Sequence, residues 1–183
     1  MSAPQQVQSN RLAAVIDDEN GETEALFQQF ESGVSDPEEG RRLVGEIIYV
    51  LVRRVVLREK LVHPAIQRSL DDGEDVVDLE VLADDEVGRL LKLIADTPDT
   101  PATSGTFEPL VARLIEQVRE RMGDEQADLL PRLVAALGAE DADELGNELA
   151  RARDAAPSAP ESAADVDPDV VERFREQVSS STS

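Results

Sequence analysis

A long apolar run with two arginines inside it sets the terms for this chain. Residues 43–64 carry Ile47-Ile48-Tyr49-Val50-Leu51-Val52 at their centre, a strand-like composition. The length of the apolar pattern, the Asp36-Pro37-Glu38-Glu39 start and the lack of turn residues before Pro64 favour one long helix. At about 100° per residue, Leu43, Ile47, Val50, Leu51, Leu57 and Leu61 share one stripe. Arg54 and Arg58 fall in the centre of that stripe, one turn apart. A buried guanidinium is rare, and costly unless paired. The fold must bring carboxylates to both arginines, or let them snorkel to solvent.

The rest of the chain reads as helices that can enclose this one. A first helix is expected from Asn10 or Arg11 to about Ser32, with Leu12, Ile16, Thr23, Phe27, Phe30 and Val34 near one face and Asn20 beside them. Pro37 stands at a favoured first helical position for the second. His63-Pro64 bends the chain, and Asp71-Asp72-Gly73 is a turn. A third helix over about 75–95 presents Val76, Leu79, Leu82, Ala83, Val87, Leu90 and Ile94 as its apolar face, with Asp85 at the edge. Thr106 is placed to cap a fourth, striped by Phe107, Leu110, Val111, Leu114, Val118, Met122 and Leu129. Arg121 and Glu125 lie inside that stripe, at i and i+4. Pro131 kinks the pattern and Gly138 ends it. A fifth helix over 141–154 packs Leu145 and Leu149.

The expected architecture is all-α: an up-down antiparallel four-helix bundle with an extra C-terminal helix and a flexible tail. Residues 1–9 read as a disordered start and 10–154 as the helical domain. Residues 155–183 read as a Pro/Ala/Ser linker and tail, with a short amphipathic helix over 168–178 through Val170, Val171, Phe174 and Val178. Aromatic residues make up only 3% of the chain and Trp is absent, so Leu, Val, Ile and Ala must fill the core.

Composition excludes several classes of function. Cysteine is absent, which removes disulfides, thiol nucleophiles and Cys-ligated metals. The net charge of −22 argues against nucleic acid and anionic membranes as partners. Arg53 and Arg54 interrupt the best candidate for a membrane span, and the first ten residues lack a signal-peptide pattern, so a cytoplasmic location is expected. His63 is the only histidine, and beside Pro64 it reads as structural or solvated. Lys60 stands where a Glu-x-x-His di-iron motif would need its glutamate. Asp17-Asp18-Glu19-Asn20-Gly21 brushes a calcium-loop pattern but places Phe27 where a carboxylate is required.

What remains is a set of polar positions on apolar faces: Asn20, Arg54, Arg58, Arg121 and Glu125. The chain resembles the hemerythrin-like HHE cation-binding family over roughly residues 16–160. The resemblance is carried by Glu59-Lys60-Leu61-Val62-His63-Pro64-Ala65-Ile66, by Leu129-Leu130-Pro131-Arg132-Leu133 and by Ala156-Pro157-Ser158-Ala159-Pro160, an ending similar to that of many bacterial members. It implies a bundle core that holds two irons, with His on the first helix, His-x-x-x-Glu on the second, His on the third and His-x-x-x-Glu on the fourth. Aligned through these motifs, the ligand positions fall on Asn20, Arg54 with Arg58, Asp85, and Arg121 with Glu125. Only Glu125 keeps a family ligand type, and arginine has no lone pair to offer a metal. The resemblance therefore implies a retained scaffold with a replaced metal site, no cofactor and no catalytic residue. Arginines would pair there with Glu125 and Asp85, Glu125 serving as the central acceptor.

Three functions compete. The first is a non-catalytic interaction or regulatory module, with a homodimer or another protein partner on a second apolar flank formed by Val44, Ile48, Val52 and Val55, or on the tail. The second is a small-molecule or anion binder that uses the Arg-lined cavity. The third, ranked last, is a metal-dependent or oxygen-related protein with carboxylate ligands such as Glu24, Asp85 and Glu125.

Overall fold

Short polar side chains start the first two helices. Asn10 accepts a hydrogen bond from Leu12 N at 2.8 Å, and Asp36 accepts one from Glu38 N at 3.0 Å. Each satisfies a backbone donor that the first turn would leave unpaired. The computed structural model describes residues 10–33, 36–97 and 107–156. Residues 1–9, Val34, Thr106 and the expected helix over 168–178 lie outside them.

The described residues are mainly helical, with no strand among them, and residues 47–52 are helix despite their composition. The helices are α1 (Arg11–Glu31), α2 (Pro37–Leu57), α3 (His63–Ser69), α4 (Gly73–Ala95), α5 (Phe107–Asp124), α6 (Leu130–Leu137) and α7 (Ala139–Asp154). Among these residues no helix is long and apolar enough to cross a membrane. α1 packs on α2 and α7, α4 packs on α3 and α5, and α6 packs on α3 and α7.

Two of the joints are π turns. Arg58–Val62 carries α2 into α3, and Glu125–Leu129 carries α5 into α6. Each ends two residues before a proline, at His63-Pro64 and Leu130-Pro131. A proline inside an α-helix removes one hydrogen bond and drives its ring against the carbonyl four residues earlier. Here His63 N donates to Arg58 O, and Leu130 N donates to Glu125 O, each reaching five residues back. The widened turn gives the ring room, so the helix continues where the sequence suggests a bend or kink.

α2 is the central rod. Leu43, Ile47, Leu51 and Leu57 are buried, and so are Val44, Ile48 and Val52. Three of the four residues of the second flank, a candidate dimer surface, are thus core, while Val55 is half-buried and lines a groove beside α4. α4 buries Val87, Leu90 and Ile94 of its expected face but departs from it at Leu79 and Leu82. Leu79 and Leu82 are 67% and 61% exposed, while Val77, Val87, Leu91 and Ile94 are buried. The inward line of α4 runs through Glu80 and Asp84, which bond to Arg121 on α5. That polar pairing turns Leu79 and Leu82 outward.

α7 closes the side of α1. Asp143 Oδ1 accepts from Arg11 N at 2.7 Å, and Leu149 is fully buried. The tight α6–α7 joint needs Gly138, whose φ of +79° suits a residue without a Cβ.

Candidate functional site

The two π turns bring their first residues together across the core. Arg58 Nε donates to Glu125 Oε1 at 2.8 Å, and Arg58 Nη1 donates to Glu19 Oε2 at 2.8 Å. Arg54, one turn earlier on α2, donates to Glu125 Oε2 through Nη2 and to Asn20 Oδ1 through Nη1. Three elements thus meet at one cluster: α1 supplies Glu19 and Asn20, α2 with its π turn supplies the arginines, and the turn after α5 supplies Glu125. Arg58 is 6% exposed and Glu19 is 4% exposed.

Electrostatics follow the pairing. Burial pushes the Glu125 carboxyl up, but the Arg58 and Arg54 guanidiniums outweigh it and hold the group at about 2. Burial works against the charge on Arg58, and Glu125 and Glu19 more than restore it. Arg54 is lowered, by burial first and then by the charge of Arg58, against the pull of Glu125 and Glu19. Two cations and two carboxylates balance within the cluster. Arg58 Nη2, Glu19 Oε1 and Asn20 Nδ2 are buried without a protein partner. Atoms buried without a partner carry a desolvation cost that the ion pairs around them must offset.

Arg121 is not in this cluster, contrary to the expectation that it shares Glu125. It donates to Asp84 Oδ1 at 2.5 Å and Glu80 Oε2 at 2.9 Å, both on α4. Arg54 and Arg58 already take both oxygens of Glu125, so a third guanidinium there would face two cations over one carboxylate. Burial opposes the charge on Arg121, and Asp84 and Glu80 outweigh it. Asp85 is exposed and outside the cluster; its neighbour Asp84 occupies the inward position. His63 is buried, which lowers its basicity against the opposing pull of Asp84, Glu80 and Glu59, and the imidazole stays neutral at neutral pH.

Glu19 is the residue that sequence reasoning missed, although a signal was present. It stands three residues after Ile16 and four before Thr23, in the middle of the buried stripe of α1. Asp84 is placed likewise, three residues before buried Val87. Neither stands out, because a carboxylate in a strongly acidic chain reads as surface.

These residues do not fit a di-iron centre. Both oxygens of Glu125 and one oxygen of Glu19 are already taken by guanidinium groups. Among the described residues, no group of three or more His, Asp or Glu side chains is placed to hold a metal ion. Glu24, a candidate carboxylate ligand, is instead clamped by Arg119 at 2.7 and 2.9 Å, while Asp85 is exposed. The chain matches no protein-family profile, no curated protein and no solved structure.

Proposed function

We propose that the chain is a hemerythrin-like four-helix bundle whose metal centre has been replaced by ion pairs, and that it serves as a non-catalytic interaction or regulatory module in the cytoplasm. The observation that carries this reading is Glu125, whose two oxygens accept from Arg54 and Arg58 at the middle of the helices. Guanidinium groups there supply the positive charge that a metal pair would otherwise bring among carboxylates. Anion binding at the same cluster is less well supported, because Glu19 and Glu125 already balance the two arginines.

An interaction role draws support from α4. Leu79, Leu82 and Leu93 are each more than half exposed. Leu79 and Leu93 stand at equal distances in sequence from Glu86, which Gln117 and Arg113 draw towards α5. A two-fold crossing of α4 on a second copy at Glu86 places Leu79 of one chain on Leu93 of the other, an isologous contact. Leu82→Asp should abolish such a dimer, and a monomeric mass for the parent chain across the micromolar range in light scattering would refute it.

The metal part of the reading has its own test. The protein is purified under reducing conditions with ferrous iron supplied, and then analysed for metal content and absorption. The expected result is no stoichiometric iron and no oxo-bridged di-iron band. Two irons per chain would overturn the reading.

A further inference from the structure

A groove of about 370 Å³ runs between α2 and α4. Val52 and Val55 from α2, with Val81 and Leu91 from α4, give it an apolar floor. Val81 is 42% exposed there. Carboxylates stand on both walls: Glu59 on the side of α2, Asp84 and Asp85 on the side of α4. Arg89 and Lys92 lie further along α4. The groove thus suits an apolar ridge with a cation on the side of Asp85, preceded by acidic residues.

We propose that this groove is the docking site of residues 168–178 of the same chain. In their sequence, Asp167-Pro168-Asp169 precedes Val170, Val171, Phe174 and Val178, with Arg173 and Arg175 interleaved. Pro168 behind Asp167 is a strong helix start. At about 100° per residue the four apolar side chains form one ridge, and the two arginines fall on opposite sides of it. With the ridge on Val55 and Val81, an arginine on one side of it meets the exposed Asp85. Run parallel to α2, the segment lays Asp167 and Asp169 towards Arg89 and Lys92.

Chain connectivity favours this occupant over a free partner. Ala156 still packs on the core, and residues 157–167 extend to as much as about 36 Å at ~3.3 Å per residue. That reach is comparable with the breadth of a domain of this size. A tether of this length holds the segment at an effective concentration in the millimolar range, so a weak contact is enough. The inference stands on the groove and its charges, and holds whether or not the core has lost a metal or α4 forms a dimer.

The chain contains no tryptophan, so Phe174→Trp in the full-length protein gives a single reporter. Docking predicts blue-shifted emission and a several-fold lower acrylamide quenching constant than for free tryptophan, both independent of protein concentration. Val81→Asp in the groove, added to Phe174→Trp, should restore solvent-like emission while the helical circular-dichroism signal stays unchanged. Asp85→Lys, at an exposed position, should weaken the protection by charge repulsion even if Val81→Asp fails to fold. Solvent-like emission in the Phe174→Trp protein would overturn the proposal, as would protection that neither groove variant alters. Protection that rises with concentration, together with a doubled mass, would assign the groove to a second copy instead.

Discussion

Arg58 Nε donates to Glu125 Oε1 at 2.8 Å, and each of these two residues opens a π turn that a proline follows. The same backbone device thus recurs at the two ends of one ion pair. A π turn shifts the register of side chains relative to the α-helix before it. Here the first residue beyond α2 and the first residue beyond α5 meet at the same level of the core. Sixty-seven residues of sequence separate the partners, yet the pair closes the centre of the fold.

Energetic coupling should reflect this geometry. Leaving a buried charge unpaired costs about 3–5 kcal/mol, whereas a surface change usually stays within about 0.5 kcal/mol. Glu125→Gln should therefore lower stability in urea denaturation far more than Glu144→Gln on exposed α7. Arg58→Met strands Glu19, because Arg58 serves both carboxylates, while Arg54 still reaches Glu125. Arg58→Met combined with Glu125→Leu should cost less than the two single changes summed. Strict additivity would mean that the pair is not coupled.

Stability should fall along two limbs as the pH is lowered. The Glu125 carboxyl ordinarily titrates near 4.5 and is held at about 2 in the fold. A depressed carboxylate stabilises the fold above its unfolded value, and that contribution disappears as pH falls from 4.5 to about 2. At about 1.4 kcal/mol per pH unit, it amounts to ~3 kcal/mol. Buried His63 is also lowered, from 6.5. The unfolded chain takes up that proton first, so the fold begins to lose stability as pH falls below 6.5. Stability measured against pH should decline gently below 6.5 and steeply below 4.5. His63→Gln should remove the first limb, and Glu125→Gln should flatten the second.

Much of this was legible in the sequence, and the gaps have a common cause. The apolar stripes of α2 and α5 mark their buried faces because most inward positions there are aliphatic or aromatic, whereas α1 buries Glu19, Asn20 and Thr23 among its apolar residues. Arg54, Arg58 and Glu125 stand out as charges on such stripes, and the structure brings them together. α4 was harder to read. Its inward line includes Glu80 and Asp84, so the apolar residues that remain suggest a face rotated towards Leu79 and Leu82. A carboxylate can be recognised as inward only once its cation is known to lie opposite, and that is tertiary information. Arg121 was placed on the correct stripe, but its choice between Glu125 and the α4 pair depended on how many guanidiniums Glu125 could serve. The π turns were hidden as well, since a proline after a helical pattern reads as a bend whether or not the helix widens to absorb it.

Two glycines should respond to alanine with opposite sign. A Cβ on Gly146 would lie 2.4 Å from Leu12 N and 2.6 Å from Arg11 C. Both are backbone atoms in the first turn of α1, so α7 would have to withdraw. Withdrawal would also stretch the bond from Arg11 N to Asp143 and expose Leu149. Overpacking of a close contact typically costs about 1–3 kcal/mol, and a backbone obstacle puts Gly146→Ala at the upper end. Gly123, inside α5, has nothing within 4 Å of its would-be Cβ. There alanine only restricts the unfolded chain and improves helix propensity, so Gly123→Ala should gain roughly 0.5–1 kcal/mol. Urea midpoints of the two variants should therefore move apart from that of the parent chain, Gly146→Ala downward and Gly123→Ala upward. A neutral Gly146→Ala would mean that α7 does not press on α1 in solution.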